Sequence, residues 1–326
     1  KNLKTVDFSK ESNLQYLGGN VFQNSSLEFI FIPDNVQKIN KYSFSKCKNL
    51  QLVNFNEESK LKAIDSYAFS SSSIQSLYIP PKVDDLCCGW CDDTKKLCNV
   101  LLSPKNQNFV YYDATHQIIL SKDKYSDAYD KLLFASRDIK QFTIPSFIKT
   151  IRSHAFDKCM KLKHINFERN SELQNINQSA FSHTLIGYIF IPKKVEVLGF
   201  HSFYNCKKLN YMEFESNSQL KMIEKYAFEH SNISALMISE NYCNINGSSF
   251  SNMNNLTSIE FLGDNLNIDD EFSEIKLKTL RIISFPNAKN VNITFNISYC
   301  SCDMTAFISA NATLKIKFKI DKKSYY

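Results

Sequence analysis

Apolar and polar residues alternate along this chain in short stretches that repeat. In the pattern Leu-x-x-Val-x-Phe and its variants, the first, fourth and sixth residues are apolar. The pattern starts at Leu3, Leu27, Leu50, Ile74 and Leu97, and then at Ile139, Leu162, Ile186, Leu209, Ile233, Leu256 and Leu280. Successive starts lie about 23 or 24 residues apart, with one longer gap after Leu97. Each start predicts a short strand with its apolar side chains inward, paired in parallel with its copy in the next repeat.

A second apolar set in each repeat predicts the return of the chain to the same core. Phenylalanine recurs at one return position: Phe22, Phe44, Phe69, Phe156, Phe181, Phe203, Phe228 and Phe250. A single repeat cannot bury its apolar face alone, but a stack of repeats makes a continuous core. We therefore interpret these rings as a core spine rather than as a ligand pocket.

Two repeat types alternate, and one of them carries a specific signature. It runs from Leu27 through Ile32-Pro33 to Cys47, and it recurs from Ile139 and from Ile186. This arrangement resembles the BspA-like leucine-rich-repeat family of surface proteins from parasitic protists and oral bacteria, whose pattern is Ile-Pro-x-x-Val-x-x-Ile-x-x-x-Ala-Phe-x-x-Cys. The resemblance covers most of the chain and weakens after Ile233. We expect a repeat solenoid, a leucine-rich-repeat horseshoe or arc with a parallel concave β-sheet and an irregular or short helical convex side.

One segment breaks the repeat and predicts a β-hairpin. Strand-like runs at 109–112 and 117–120 flank a short polar turn. We expect one continuous solenoid domain, divided into N-terminal repeats at 1–102, a β-hairpin insertion at 103–138, C-terminal repeats at 139–302 and cap strands at 303–326. Whether the insertion binds a partner or caps the repeats stays open.

Composition and charge exclude several classes of protein. Hydrophobic residues make up 43% of the chain, which is enough for a packed core and excludes a disordered protein. The net charge of +6 is spread among interspersed acidic and basic residues, so no nucleic-acid-binding arm is expected. No apolar run reaches membrane-spanning length, so this chain carries no span. It opens at Lys1 without Met or a signal peptide, and we interpret it as a fragment or a mature chain.

The cysteines form two groups. Cys47, Cys159 and Cys206 share one repeat position, too far apart for a disulfide, and are expected to be buried thiols. The cluster Cys87, Cys88, Cys91 and Cys98 predicts one or two local disulfides in an oxidising compartment, with free thiols or a zinc site as alternatives. Cys300 and Cys302 suit a cap disulfide, for which Cys243 is a candidate. We assign no metal and no cofactor.

Glycosylation signals are frequent, whereas catalytic motifs are absent. Asn-x-Ser/Thr occurs at Asn24, Asn177, Asn232, Asn246, Asn255, Asn292, Asn296 and Asn311. The six histidines are scattered, and neither a metalloprotease helix motif nor a nucleophile elbow occurs. The absence of catalytic motifs predicts that the protein is not an enzyme. The number of glycosylation signals is weak evidence for secretion.

The outward positions of the predicted strands indicate a binding face. The third and fifth residues of each strand point away from the core, onto the concave side. Aromatic residues group there as Phe29, Phe31 and Tyr78, and as Tyr188, Phe190 and Tyr211 with Glu213. Exposed aromatic residues in register mark interaction surfaces, although such ladders also stabilise sheets by cross-strand pairing.

Two functions follow for this face. The first is an extracellular or cell-surface recognition protein that binds a protein or glycan. The family resemblance adds an expectation of adhesion to a host-cell or matrix surface. The second is a cytoplasmic scaffold that uses the same face for a partner protein. Nucleic acid is not an expected partner, and the sequence leaves the oligomeric state open.

Overall fold

Parallel strands stacked repeat upon repeat form the architecture of this chain, seen here in a computed structural model. The prediction of a repeat solenoid with parallel sheets is confirmed. The structure describes residues 2–9, 11–238, 242–250, 252–253, 255–256, 258–261, 265–269, 282–285, 290–297, 305–308 and 313–320, with side chains described to residue 238 and at 248–250, 252–253 and 255–256. Two compact units are present: one comprises the chain up to Ile139 with Arg152–Lys161, and the other comprises Lys140–Ile151 with the chain from Leu162 onward.

Each repeat of the first unit supplies a longer and a shorter strand. The strands are β1 (Tyr16–Leu17), β2 (Phe29–Phe31), β3 (Lys38–Ile39), β4 (Leu52–Asn54), β5 (Ala63–Ile64), β6 (Ser76–Ile79), β7 (Asp85–Leu86), β8 (Asn99–Leu102), β9 (Phe109–Tyr111), β10 (Ile118–Ser121) and β11 (Lys131–Ala135). The two-residue strands form one parallel sheet in the order β1-β3-β5-β7. Among the longer strands, β2 pairs with β4 and β6 pairs with β8, both in parallel.

The segment between the two sets of repeats contains antiparallel strands. In the first unit, β10 pairs with β9 on one side and with β11 on the other. The pairing of β10 with β11 shifts register between Ile119 and Leu120. The division of the chain at residues 102, 138 and 302 stays a prediction.

The second unit repeats the same two-strand plan. Its strands are β12 (Gln141–Ile144), β13 (Thr150–Ile151), β14 (His164–Phe167), β15 (Asn175–Ile176), β16 (Tyr188–Ile191), β17 (Val197–Leu198), β18 (Tyr211–Phe214), β19 (Met222–Ile223), β20 (Ala235–Ile238), β21 (Tyr242–Asn246), β22 (Ser258–Phe261), β23 (Asn265–Asp269), β24 (Ile282–Phe285), β25 (Asn290–Ile297), β26 (Thr305–Ile308) and β27 (Thr313–Ile320). The longer strands pair as β12-β14 and β16-β18-β20-β22-β24-β26, and the others run in parallel from β13 to β27.

Alternating burial explains why these sequences form strands. In β16 and β18, exposed or partly exposed residues alternate with buried ones, so one face of each strand lies on the core. The repeat starts Leu50, Leu162 and Leu209 are completely buried. Proline ends the strand in the Ile-Pro repeats, where Val36 N–H donates to the Pro33 carbonyl 3.0 Å away and closes a turn.

The return side of each repeat is a turn that carries the phenylalanine spine. Phe44 stacks on Phe22 and on Phe69, with ring centroids 5.3 and 5.2 Å away. In the second unit, Phe203 stacks on Phe181 and Phe228 in the same way. All eight predicted spine residues are buried. The interpretation of these rings as core is therefore confirmed.

Five-residue turns around the spine use left-handed backbone at their first and fifth positions. The first position is held by residues such as Tyr67 (φ 59°) and His154 (φ 61°), and the fifth by Ser71 (φ 56°) and Lys158 (φ 59°). Bulky residues rarely adopt this conformation, so neighbouring repeats must hold it in place. They do so by backbone bonds such as that from Phe44 N–H to the Ala68 carbonyl, 2.8 Å long.

Helix is almost absent from the described residues. A single 3-10 helix occurs there, at Gly247–Phe250, on the return side of its repeat, and the other described return segments are irregular turns. No described helix has the length and hydrophobicity needed to cross a bilayer.

Candidate partner-binding surface

The outward face of the longer strands is where the aromatic residues predicted to bind a partner are found. In the first unit, Phe29 and Phe31 flank the buried Ile30 on β2, and the Phe29 ring is 52% exposed. Leu52 lies beside Phe29 in register on β4 and is exposed as well. These side chains form an exposed apolar surface, whose contact with water is unfavourable in free energy.

Tyr78 occupies the same position in its repeat as Phe31, but its setting differs. Its ring is partly buried, and its hydroxyl donates to the Glu57 carboxylate 2.6 Å away. Burial and this carboxylate both raise the pKa of Tyr78. Its neighbour in register on β8 is the exposed Leu101.

The second unit carries a more ordered group, which we name the tyrosine face: Tyr188, Phe190, Tyr211 and Glu213. Strands β16 and β18 place Tyr188 beside Tyr211 and Phe190 beside Glu213. The tyrosine rings stack with centroids 5.7 Å apart and planes 11° apart, and they are 46% and 50% exposed. The result is a flat, half-exposed aromatic platform on two adjacent strands.

Electrostatics fixes the orientation of this platform. The Tyr188 hydroxyl donates to Glu213 Oε2 at 3.0 Å. Burial and the Glu213 carboxylate both raise the pKa of Tyr188, so the hydroxyl stays a donor at neutral pH. An exposed methionine, Met237, follows Glu213 at the same repeat position on β20. The tyrosine face combines aromatic area with a carboxylate, and Met237 adds an adaptable thioether beside it.

The clustered cysteines lie between β7 and β8, and the structure holds all four as thiols rather than disulfides. Cys91 is buried, and the Arg137 guanidinium donates to its sulfur at 3.4 Å. Burial and the Asp85 carboxylate raise the pKa of Cys87 to about 12. Cys88 is exposed, and its pKa is lowered because His154 lies beside its sulfur.

The four sulfurs of this cluster do not come together as a zinc-binding group, so the structure does not support the zinc alternative. Among the described residues, the only metal-binding atoms that converge in a group of three belong to Asp92, His154 and Asp157. The thiols at the repeat position shared by Cys47, Cys159 and Cys206 are fully buried, as predicted. Cys243 lies on β21, with no described side chain, and Cys300 and Cys302 lie outside the described residues.

The glycosylation signals fall into different settings. Asn24 is exposed, Asn177 and Asn232 are partly buried, and Asn255 is exposed. The Asn232 amide donates to Asn210 Oδ1 at 2.6 Å, and the Asn255 amide donates to Asn232 Oδ1. A sugar attached to Asn232 or Asn255 would therefore replace an amide hydrogen of a side chain that donates one of these hydrogen bonds. The side chains of Asn246, Asn292 and Asn296 are not described, and Asn311 lies outside the described residues.

A buried charged cluster in the first unit was missed in the sequence. His154 lies between Asp92 and Asp157, and Arg137 is buried nearby against Phe134. Burial alone lowers the pKa of His154, but Asp157, Asp92 and Cys88 outweigh it and raise that pKa to about 12. The only sequence signal was aspartate at a turn position where the two preceding repeats have Ser45 and Ser70.

Comparisons with known proteins agree with the repeat architecture. Six copies of a family model described as "BspA type Leucine rich repeat region" match residues 1–97, 128–218 and 174–302. The sequence has no significant match among curated proteins.

Solved structures show the same fold. The pneumococcal vaccine antigen PcpA is 21% identical, with a TM-score of 0.68 over 94% of this chain and 74% of that one. A leucine-rich-repeat protein from Eubacterium ventriosum is 19% identical, with a TM-score of 0.66 over 92% of this chain and 83% of that one. A leucine-rich cell surface protein from Faecalibacterium prausnitzii is 17% identical, with a TM-score of 0.50 over 96% of this chain and 72% of that one. At these identities the likeness concerns the fold alone.

Proposed function

This chain belongs to the family of BspA-type leucine-rich-repeat proteins, and we propose that it is a non-enzymatic, cell-surface or secreted recognition and adhesion protein. It binds a protein or glycan partner through the outward face of its longer strands, with the tyrosine face at the centre. The proposed role agrees with the cell-surface location printed for one of the similar structures, the Faecalibacterium protein.

One observation carries the proposal: two half-exposed tyrosine rings stack in register and one of them is oriented by a carboxylate. Tyrosine supplies large contact area at a low entropic cost, and this pair is already ordered before a partner arrives. The Glu213 carboxylate adds a polar acceptor for a donor on a peptide or a sugar. Neighbouring outward positions on β14 are polar, which gives the aromatic centre a hydratable rim.

Sheet stabilisation is the competing explanation for these aromatic residues. Cross-strand aromatic pairs contribute about 0.2–1 kcal/mol, and such a pair needs no partner. A ring that only supported the sheet would bury most of its surface, whereas both tyrosines leave about half exposed. The degree of exposure therefore favours recognition.

The test replaces Tyr188, Phe190 and Tyr211 with serine together. The matched control replaces Gln141, His164 and Asn166 with serine, because these lie at outward positions of β12 and β14 and are polar. Wild type and both variants are assayed on host-type cells, matrix proteins and a glycan array, with melting curves in parallel.

We expect the aromatic variant to lose binding with an unchanged melting curve, while the control binds as wild type does. A large loss of stability with binding intact would mean that the aromatics only hold the sheet. Binding to the array separates a glycan partner from a protein partner. A wild-type chain that binds none of the surfaces also contradicts the proposal.

The intracellular scaffold is the second candidate, and the thiols favour it. The seven cysteines described with side chains are not disulfide-bonded, as suits a reducing compartment. Mass spectrometry of the native chain separates the two functions. Glycans on Asn24 or a disulfide within Cys87–Cys98 favour the secreted protein, whereas bare asparagines and free thiols favour the scaffold.

A further inference from the structure

Two aspartates occupy one turn position in the first unit, where the two repeats before Asp92 have serine. The fourth residue of the five-residue turn is Ser45, then Ser70, then Asp92, and in the segment after the insertion it is Asp157. The last two turns are neighbours, because Asp93 N–H donates to Asp157 Oδ2 at 3.1 Å. Stacked repeats therefore bring two carboxylates together at a largely buried place, which is costly unless a cation lies between them.

His154 lies at this place and offers a nitrogen. Its Nδ1 is 3.1 Å from Asp92 Oδ1 and 3.8 Å from Asp157 Oδ2, and the three ligand atoms lie within 4.8 Å of one another. The residue is only 6% exposed, and neither ring nitrogen has a hydrogen bond of good geometry in the described structure. Nδ1 thus faces both oxygens without pointing squarely at either, as expected for a nitrogen aimed at a point between them.

The surrounding groups orient the carboxylates, and the cationic side chain nearest to both of them is His154 itself. Ser70 donates its hydroxyl hydrogen to Asp92 Oδ2 at 3.0 Å. The Lys158 ammonium is 3.3 Å from Asp93, which compensates it. The Arg137 guanidinium donates to backbone carbonyls and to cysteine sulfurs. Hydrogen bonds of this kind hold ligands in metal sites.

We propose that Asp92, His154 and Asp157 form a binding site for a divalent transition-metal ion of the zinc class. Zinc binds imidazole nitrogen and carboxylate oxygen at about 2.0–2.2 Å, which puts tetrahedral ligands roughly 3.3–3.5 Å apart. The observed 3.1 and 3.8 Å bracket that spacing. The partly exposed Asp92 gives an entry path and leaves a fourth position for water.

The ion would have a structural role. It would join the turn that carries Asp92 to Arg152–Lys161, the segment that follows the insertion and belongs to the same unit. Because binding requires both segments in place, metal would stabilise the folded first unit. This site uses no cysteine, in contrast to the zinc alternative considered for the sequence.

Equilibrium dialysis of the full chain against Zn²⁺ tests the site. We expect one ion per chain and a higher melting temperature with Zn²⁺, and an affinity at least about 10-fold lower in Asp92→Asn. Asp92→Asn keeps the shape at a partly exposed position, so it should fold as wild type does without metal. Asp84→Asn, at an exposed aspartate outside the cluster, is the matched control and should bind as wild type does.

A second measurement identifies the ligands. Co²⁺ bound through nitrogen and oxygen gives no sulfur-to-metal charge-transfer absorption, so we expect none, and a Cys87→Ser/Cys88→Ser variant should keep its affinity. Three results would overturn the proposal: no Zn²⁺ bound to wild type, equal affinity in Asp92→Asn, or a charge-transfer band that the cysteine substitutions remove. His154→Gln, which removes the nitrogen but retains polar bulk, should weaken binding at least as much as Asp92→Asn.

Discussion

The ring of Tyr188 lies parallel to the ring of Tyr211 on the adjacent strand, with 5.7 Å between their centroids. The same tyrosine donates its hydroxyl hydrogen to Glu213, two residues beyond Tyr211. One strand therefore supplies both the stacking partner and the acceptor for Tyr188. This arrangement follows from the parallel register of β16 and β18, which places like positions of consecutive repeats side by side.

A double-mutant cycle on Tyr188→Ala and Tyr211→Ala measures the energy of this pair. We expect a coupling of about 0.2–1 kcal/mol in urea denaturation, because the rings stack but remain half exposed. A cycle of Tyr211→Ala with His164→Ala, which lies two repeats earlier, should be additive. A coupling above roughly 2 kcal/mol would show that the pair mainly supports the sheet.

The phenylalanine spine should carry much more stability than any exposed ring. Phe203 is completely buried between Phe181 and Phe228. Phe203→Ala leaves a cavity and should cost about 3–5 kcal/mol of unfolding free energy. Phe147→Ala is the control, since that ring is 47% exposed, and it should cost no more than about 0.5 kcal/mol. Similar losses in both variants, measured by urea denaturation, would contradict a stacked core.

The repeat pattern predicted most of the fold because each repeat contacts its own copy. Apolar positions such as Leu162 and Phe181 meet the same positions of the next repeat, so a periodic sequence predicts which residues share the core. The alternation within each strand likewise predicted that Tyr188 and Tyr211 face outward. The stacking of the two rings then follows from the parallel register of β16 and β18.

The buried charged cluster could not be predicted in this way. Asp92 and His154 lie on opposite sides of the insertion, and a periodic pattern does not say which turns meet after it. Arg137 is charged, which in a sequence usually indicates an exposed residue. In the structure it is buried because carbonyls of Ala135 and Ala155 accept its hydrogens. Such contacts depend on how the stack of repeats continues after the insertion. The spacing of apolar residues within each repeat does not determine this.

Two glycines of the second unit allow a matched test of how closely its repeats approach. At Gly199, an added Cβ would lie 2.8 Å from the backbone carbon of Asn177 and 2.9 Å from the nitrogen of Gln178. Both atoms belong to the preceding repeat, to which Gly199 N–H donates at 2.8 Å, through the carbonyl of Ile176. Backbone atoms cannot rotate away, so the repeats would have to separate.

Gly199→Ala should therefore cost about 1–3 kcal/mol of unfolding free energy. At Gly187, the nearest atom to an added Cβ is the Lys208 carbonyl oxygen at 3.7 Å, an ordinary contact. Neither glycine has the left-handed backbone that disfavours alanine, and both substitutions reduce the entropy of the unfolded chain alike. Gly187→Ala should thus be neutral or stabilise by up to about 1 kcal/mol. The difference between the two urea midpoints isolates the steric cost, and equal midpoints would show that adjacent repeats are not packed backbone to backbone at Gly199.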